Sequence, residues 1–168
     1  MRYFIDLILF GCIYIIIYTK FWKDKKEEEI LKYTIMYLYI VSVLFVTLIP
    51  IDFTLDPKWK YHPSVKVTYI HIKPFNDLIM GYSGAKKQII LNIMMTIPFG
   101  FLYSCIKKKV SFLKVIFMTF VLSLTIELLQ LLTTIFLLYH RSSDVTDLIT
   151  NVIGGAIGYI IYKVLYKR

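Results

Sequence analysis

The sequence predicts an all-α, polytopic integral membrane protein, a helical bundle with about five transmembrane helices and one longer outer loop between helices two and three. Of its 168 residues, 58% are hydrophobic and the mean hydropathy is +0.66, which is too apolar for a soluble domain of this length. Apolar stretches also recur at about the 20-residue length that crosses a ~30 Å hydrocarbon core. Because backbone amides in lipid must bond within their own segment, we expect these stretches to be helices.

Five apolar stretches are the candidate transmembrane helices: residues 3–19, 30–49, 88–106, 110–139 and 148–166. The first is short and contains Asp6, and Arg2 gives it the basic start of a signal peptide. Because no small-x-small cleavage site follows it, we expect a helix that is retained. The fourth stretch is longer than a bilayer requires, so we expect it to tilt, kink or break.

The basic residues indicate a topology rather than a nucleic-acid surface. The net charge is +9, but the lysines are spread over several loops. The loops between spans one and two and between spans three and four, together with the C-terminus, hold more lysine and arginine than the remaining segments. The positive-inside rule therefore predicts an outside N-terminus and a cytoplasmic C-terminus.

The chain divides into two predicted parts. Residues 1–29 form an N-terminal membrane helix with a basic and acidic cytoplasmic loop, and residues 30–168 form the main membrane domain. Cys12 and Cys105 both fall within predicted spans, so their positions suggest neither a disulfide framework nor a zinc site. We expect no cofactor and no metal, and the oligomeric state stays open.

The outer loop, residues 51–87, is long enough to be functional in its own right. Its aromatic residues favour the lipid–water interface. Residues 65–69 alternate in polarity like a short strand. The loop is also basic, and its candidate phosphate-contacting lysines are Lys58, Lys60, Lys66 and Lys73.

Two predicted spans carry polar side chains that lipid disfavours. Glu127 and Gln130, at i and i+3, lie on one face of the fourth span. Asp144, Asp147 and Asn151, at i, i+3 and i+7, form one stripe along the start of the fifth. A carboxylate within a span costs about 2.5–3.5 kcal/mol, so it should face protein or water. We therefore expect these side chains to converge near the outer surface.

Two further residues belong to this predicted site. Arg141 lies in the turn between spans four and five, where its guanidinium would pair with a carboxylate or bind phosphate in a bidentate manner. Asn92 lies in span three, six residues before Pro98, and is a candidate partner for another helix. Pro98 itself should kink that helix. In span five, Gly154 and Gly158 form a small-residue face that lets another helix approach closely.

A purely structural interpretation of these residues stays open. Ser143 or Asp144 is a good N-cap, and a carboxylate such as Asp147 in a first turn complements the helix dipole. Arg141 would then simply pair with an aspartate, and Asn151 would hydrogen-bond a neighbouring helix. Glu127 is the hardest to explain in this way, and the convergence of all these residues favours a functional site.

At these residues the sequence resembles the VanZ-like family. The family pattern places Glu-x-x-Gln on one helix, then Arg, Asp-x-x-Asp-x-x-x-Asn and a glycine motif, and an upstream Asn-x-x-x-x-x-Pro-Phe-Gly. The matching residues are Asn92, Pro98, Phe99, Gly100, Glu127, Gln130, Arg141, Asp144, Asp147, Asn151, Gly154, Gly155 and Gly158. "HIKPF" also resembles the family's loop element, at Pro74 and Phe75. The resemblance covers roughly residues 35–165.

The resemblance implies a multi-pass protein of the bacterial plasma membrane, in a family with members associated with teicoplanin-type antibiotic resistance. The segment between Gln130 and Arg141 is longer than the family pattern. If the helix ran straight through it, Glu127 would sit ~18 Å below the turn, so we expect a break near Thr133 and Thr134.

Three functions follow from these residues. The first is binding of an anionic lipid or cell-wall precursor at the outer leaflet, through the basic residues and the carboxylates. The second is a membrane-embedded hydrolase or transferase in which Glu127 and Asp147 are the candidate general base and acid. The third is a small proton-coupled transporter that uses Glu127. A metal site from His71, His140, Asp144 and Asp147 is a weaker alternative.

Overall fold

The computed structural model describes residues 2–48, 70–107, 109–137 and 143–166, and these residues include six α-helices. A π-helical turn, Tyr18–Trp22, continues the first helix, and two short strands, β1 and β2, pair in parallel. The helices are α1 (Arg2–Ile17), α2 (Glu27–Leu48), α3 (Asn76–Ile79), α4 (Ala85–Ile106), α5 (Phe112–Leu137) and α6 (Val145–Leu165), and the strands are β1 (Ile70–His71) and β2 (Ser143–Asp144).

Four of these helices are long and apolar enough to cross a membrane. They are α2, α4, the Phe112–Thr133 part of α5, and α6. Helix α1 has 16 residues before its π-helical turn, so it is the shortest of the five predicted spans. The predicted all-α membrane bundle is confirmed. Helices α4 and α6 each begin three residues earlier than the sequence predicts, because their first turns include polar residues.

Helices α4 and α6 form the most extensive contact of the bundle, and glycine makes it possible. A Cβ atom on Gly158 would lie 2.1 Å from the carbonyl oxygen of Ile97, and one on Gly100 would lie 2.1 Å from that of Gly155. Real Cβ atoms do not approach backbone atoms so closely, so the two helices touch backbone to backbone. The predicted close packing of the Gly154 and Gly158 face is confirmed.

Many of the side chains buried inside the bundle are polar, although its surface is largely apolar. Among the described side chains, Thr96, Ser104, Thr119 and Ser123 are fully buried, whereas large apolar side chains point outward, where lipid would contact them. Several buried hydroxyls donate to a carbonyl one turn back in their own helix. These bonds are Thr47 to Val43, Ser104 to Gly100, Thr119 to Val115, and Thr150 to Thr146. Small hydroxyl side chains of this kind allow membrane helices to pack closely.

Helix α5 is not broken where the sequence analysis predicts. It continues through Thr133 and ends at Leu137, so the expected break near Thr133 and Thr134 is wrong. Glu127 nevertheless reaches the start of α6, because β2 and the first turn of α6 lie beside it. The contact therefore depends on where α6 begins and does not require an interruption of α5.

The segment before α4 is fixed against the start of α6. Strand β1 pairs with β2, with Ile70 opposite Ser143 and His71 opposite Asp144. Phe75 has a left-handed backbone conformation, with φ of 58°, and its N–H donates to the Thr146 Oγ1 at 2.9 Å. A non-glycine residue adopts this conformation only where its surroundings compensate. These contacts hold α3 beside the start of α6, where the polar residues of that helix lie.

Helix α4 is also tied to α2 near its internal proline. Pro98 lies inside α4, and the Tyr39 hydroxyl donates to the carbonyl oxygen of Met95, in the preceding turn, at 2.8 Å. A neighbouring helix therefore hydrogen-bonds the α4 backbone close to the residue that interrupts its ladder. The strand predicted at residues 65–69 lies outside the described residues, as do Lys58, Lys60 and Lys66.

Candidate functional site

Asp144 begins the site because it connects α5 to α6. Its side chain caps α6 by accepting a hydrogen bond from the Thr146 backbone N–H at 2.8 Å. Its own backbone N–H donates to Glu127 Oε2 at 3.1 Å. Its carboxylate is buried, with 7% of the residue exposed. Asp144 therefore fixes both the first turn of α6 and its distance from α5.

Glu127 lies in the apolar middle of the α5 sequence and is 3% exposed. A carboxylate at such a position costs several kcal/mol unless polar groups surround it. The backbone N–H of Asp144 supplies one such group. On the same face of α5, one turn earlier, lies Ser123, which contacts α6. The burial of Glu127 thus follows from the polar start of α6 packed against it.

Asp147 is held by two amide side chains of α4. Asn92 Nδ2 donates to Asp147 Oδ1 at 2.6 Å, and Gln88 Nε2 lies 3.1 Å from Oδ2 and 3.3 Å from Oδ1. Gln88, Asn92 and Thr96 are spaced four residues apart, so they form one polar stripe on α4. Asn92 is therefore the interhelical partner that the sequence analysis expects it to be. The amides fix the carboxylate without neutralising its charge.

Asn151 continues the stripe of α6 toward the middle of the bundle. Its Nδ2 donates to Ser123 Oγ at 2.8 Å, and its backbone carbonyl accepts from Thr96 Oγ1 at 2.7 Å. Its Oδ1 is buried and has no hydrogen-bond partner among the described residues. A buried acceptor left in this way costs about 1–3 kcal/mol. Stability alone therefore does not explain why this seam is polar.

The remaining predicted site residues lie at the edge of this cluster or outside the described chain. Gln130 is one turn beyond Glu127, and its Nε2 donates to the Thr47 carbonyl of α2 at 3.2 Å. Lys73 is exposed in the turn before Phe75. Arg141 lies outside the described residues, two positions before β2 in the sequence.

A shallow cleft lies where α3, α4 and α6 meet. Three aspartates line it, and apolar side chains complete its wall. The lining residues are Phe75, Asp77, Leu78, Ala85, Gln88, Ile89, Asp144, Thr146 and Asp147. The enclosed volume is about 10 Å³, room for roughly one water molecule. A larger ligand would therefore rest against the cleft rather than inside it.

Several residues of the site were missed by the sequence analysis. Gln88 could have been found, because it lies four residues before Asn92 and so shares its face. Thr146, Asp77 and Ser123 have no such signal, because each is brought to the site by a long-range contact. The described residues contain no group of three His, Cys, Asp or Glu side chains that would hold a metal ion. His140, part of the weaker metal alternative, lies outside the described residues.

Known proteins resemble this chain over most of its length. The family model described as VanZ/LLP1 matches residues 36–166. The Protein VanZ of Enterococcus faecium is 29% identical over 140 residues, which cover 83% of this chain and 78% of that protein. No solved structure matches. The match includes α4, α5 and α6, and so every described residue of the site.

Proposed function

Because the chain belongs to the VanZ/LLP1 family, we propose that it binds the polar headgroup of an anionic lipid or a lipid-linked cell-wall precursor at one membrane surface. The chain is a multi-pass membrane protein, and its polar cluster lies at one end of the membrane helices. A ligand that reaches such a place is most simply a component of the bilayer itself.

The observation that carries the proposal is the environment of Asp147. A carboxylate can accept about four hydrogen bonds, so the two α4 amides leave capacity for a ligand. Asp77 and Asp144 line the same cleft, and like charges placed close together are unfavourable. Ligand hydroxyls or an ammonium group would relieve that repulsion by donating to these oxygens.

The phosphate of the ligand would contact the basic residues Lys73 and Arg141. Lys73 is exposed in the turn that leads to Phe75, and Arg141 stands between α5 and β2 in the sequence. Arginine binds phosphate through two parallel hydrogen bonds. A lipid-linked precursor, with a phosphate beside sugar hydroxyls or amines, presents both kinds of group. Through such a ligand the protein would alter susceptibility to teicoplanin-type glycopeptides.

An enzyme would use the same residues differently. In a hydrolase or transferase, Glu127 and Asp147 would serve as base and acid, and Arg141 would stabilise developing negative charge. Binding requires less of the site, since Glu127 already accepts a backbone hydrogen bond from Asp144. The carrier alternative has less support, because two buried hydroxyls below the site, those of Thr119 and Thr150, donate to carbonyls of their own helices.

Lipid co-purification tests the proposal. The protein is extracted in a mild detergent, and bound lipids are identified by mass spectrometry beside the Asp147→Asn variant. We expect a phosphate-bearing lipid or precursor that is depleted in the variant. Equal lipid content in both proteins would contradict the proposed site, and conversion of an added lipid by the parent alone would establish the enzyme instead.

The predicted orientation has its own test. Single cysteines replace Lys25, Lys60 or Lys108 in a background with Cys12→Ser and Cys105→Ser. In intact cells an impermeant thiol reagent should modify the cysteine at position 60 and spare the other two, because those loops are predicted to be cytoplasmic. The reverse pattern would place the cleft on the cytoplasmic side.

A further inference from the structure

The segment beside the cleft, residues 72–82, exposes an unusual number of large apolar side chains for a connection between membrane helices. Ile72 is 75% exposed and Ile79 is 78% exposed, and Met80 and Tyr82 are similarly open. Several large apolar side chains exposed within one short segment are typical of a contact with a partner or a membrane. The opposite side of the segment is polar, since Asp77 lines the cleft.

Two observations identify the partner as lipid. Helix α3 contacts α4, which crosses the membrane, and the exposed face of α4 continues the apolar surface through Ile90 and Met94. Lys73 lies near the start of the segment and Lys86 follows its end, and both are exposed. Lysines beside an apolar face are typical of segments that lie in the headgroup region, where the ammonium groups meet lipid phosphates.

We propose that residues 72–82 lie flat in the headgroup region of the leaflet at the cleft, with Ile79 and Met80 among the acyl chains. The cleft then opens sideways onto lipid as well as toward water. A lipid would place its headgroup at Asp147 while its chain passes Leu78 and Ile89, which line the same cleft. This route of entry depends on the proposed function, whereas the membrane contact of the segment does not.

The backbone holds the segment in this position. The Phe75 N–H bond to Thr146 fixes one end to α6. Gly81 and Gly84, with φ of +72° and +100°, form the turn into α4 in conformations that other residues rarely adopt. The apolar face is therefore held at the cleft end of α4 and is not separated from it by a long linker.

Fluorescence quenching by brominated lipids tests the proposal. Ile79→Cys and Met80→Cys are made separately in the Cys12→Ser, Cys105→Ser background, labelled with a bimane probe and reconstituted into nanodiscs. Met94→Cys on the lipid-facing side of α4 is the positive control, and Lys25→Cys in an exposed loop is the negative control. We expect the probes at positions 79 and 80 to lose most of their fluorescence to bromines near the headgroup.

The proposal would be overturned if the probes at positions 79 and 80 were both quenched no more strongly than the Lys25 probe. Both positions are exposed, so the substitutions should not unfold the protein, and a size-exclusion profile of each variant verifies this. The result is independent of lipid co-purification. Quenching without specific lipid binding would refute the proposed function alone, and lipid binding without quenching would refute the interfacial segment alone.

Discussion

The two ends of the α4–α6 seam are built from different chemistry. At one end, Gly100, Gly155 and Gly158 bring the two backbones into direct contact, and there is no room for a Cβ atom. At the other end, Gln88 and Asn92 of α4 hold the carboxylate of Asp147. The same pair of helices therefore changes from steric packing to charged hydrogen bonding along its length.

This difference indicates that the glycine end of the seam serves stability and that the polar end serves function. Glycine contacts give close packing without burying charge, which suits a seam whose only task is to hold two helices together. The polar end contains Asp147 and, one turn further on, Asn151 Oδ1, which has no hydrogen-bond partner among the described residues. Polar groups inside a membrane protein are costly and commonly functional. We therefore expect substitutions at the two ends to have different consequences.

The largest effect should come from the glycine end. In Gly158→Leu, the new Cβ would lie 2.1 Å from the Ile97 carbonyl oxygen, and the rest of the side chain would need still more space. The helices would have to separate, at a cost of roughly 4 kcal/mol or more. Thermal melting followed by size-exclusion fluorescence should show a large loss of folded protein.

Gly11→Leu is the matched control for that variant. A Cβ atom on Gly11 meets nothing within 4 Å, so the same change on α1 should leave melting unaltered. If Gly158→Leu had the same melting temperature as Gly11→Leu, the described contact between α4 and α6 would be incorrect.

The second-largest effect should come from Asp147→Asn, and it should appear in lipid binding rather than in the stability of the protein. Asp147→Asn keeps an oxygen that can accept from both Asn92 and Gln88, since both amides approach Oδ1 in the parent. Only the charge and the second acceptor are lost. A charged hydrogen bond to a ligand contributes about 1.5–3 kcal/mol, so lipid binding should fall roughly 10- to 150-fold. Melting should stay close to that of the parent.

Lipid titration by native mass spectrometry measures this difference. Asn92→Leu provides the comparison, because it removes the donor and leaves the carboxylate in place. A marked fall in melting temperature for Asp147→Asn, with lipid binding retained, would make Asp147 a structural residue and the polar end a second stabilising contact.

The contrast between the two ends also explains what the sequence could predict. The glycine face and the i, i+3, i+7 stripe of α6 are properties of one helix, so spacing alone reveals them. Asn92 could be recognised as polar within an apolar span. Its pairing with Asp147, however, depends on the register between α4 and α6, which the close glycine contacts set.

Contacts that join distant segments could not be read in this way. Phe75 reaches Thr146 across a large sequence separation, and Gln130 turns toward Thr47 of α2 although its spacing groups it with Glu127. The predicted break in α5 was wrong for a related reason. That prediction assumed that Glu127 had to be brought toward the turn between α5 and α6. In the structure the start of α6 lies beside Glu127 instead, and the Asp144 N–H donates to its carboxylate.

A smaller effect is expected at the N-cap of α6. Asp144→Ala removes the acceptor for the Thr146 N–H and should destabilise the protein by about 1 kcal/mol. Asp144→Asn should restore most of that stability, since asparagine caps as well as aspartate. Chemical or thermal unfolding of these two variants distinguishes the contribution of the N-cap hydrogen bond from that of the negative charge of Asp144. Equal losses in both variants would show that the negative charge of Asp144, rather than its cap, stabilises the start of α6.

The smallest effect on stability should occur at Gln88. Its amide is exposed, and its contacts with Asp147 are longer than that of Asn92, at 3.1 and 3.3 Å against 2.6 Å. An exposed hydrogen bond of this length contributes about 0.5 kcal/mol or less to folding, so Gln88→Ala should melt like the parent.

Because Gln88 lines the cleft beside Asp147, a lipid headgroup bound there would contact it directly. We therefore expect weaker lipid binding in Gln88→Ala, measured by the same native mass spectrometry titration. Unchanged binding would place the ligand on the Asp77 and Leu78 side of the cleft, away from α4. A marked loss of stability in Gln88→Ala would mean that this amide also stabilises the seam, and the division between its two ends would disappear.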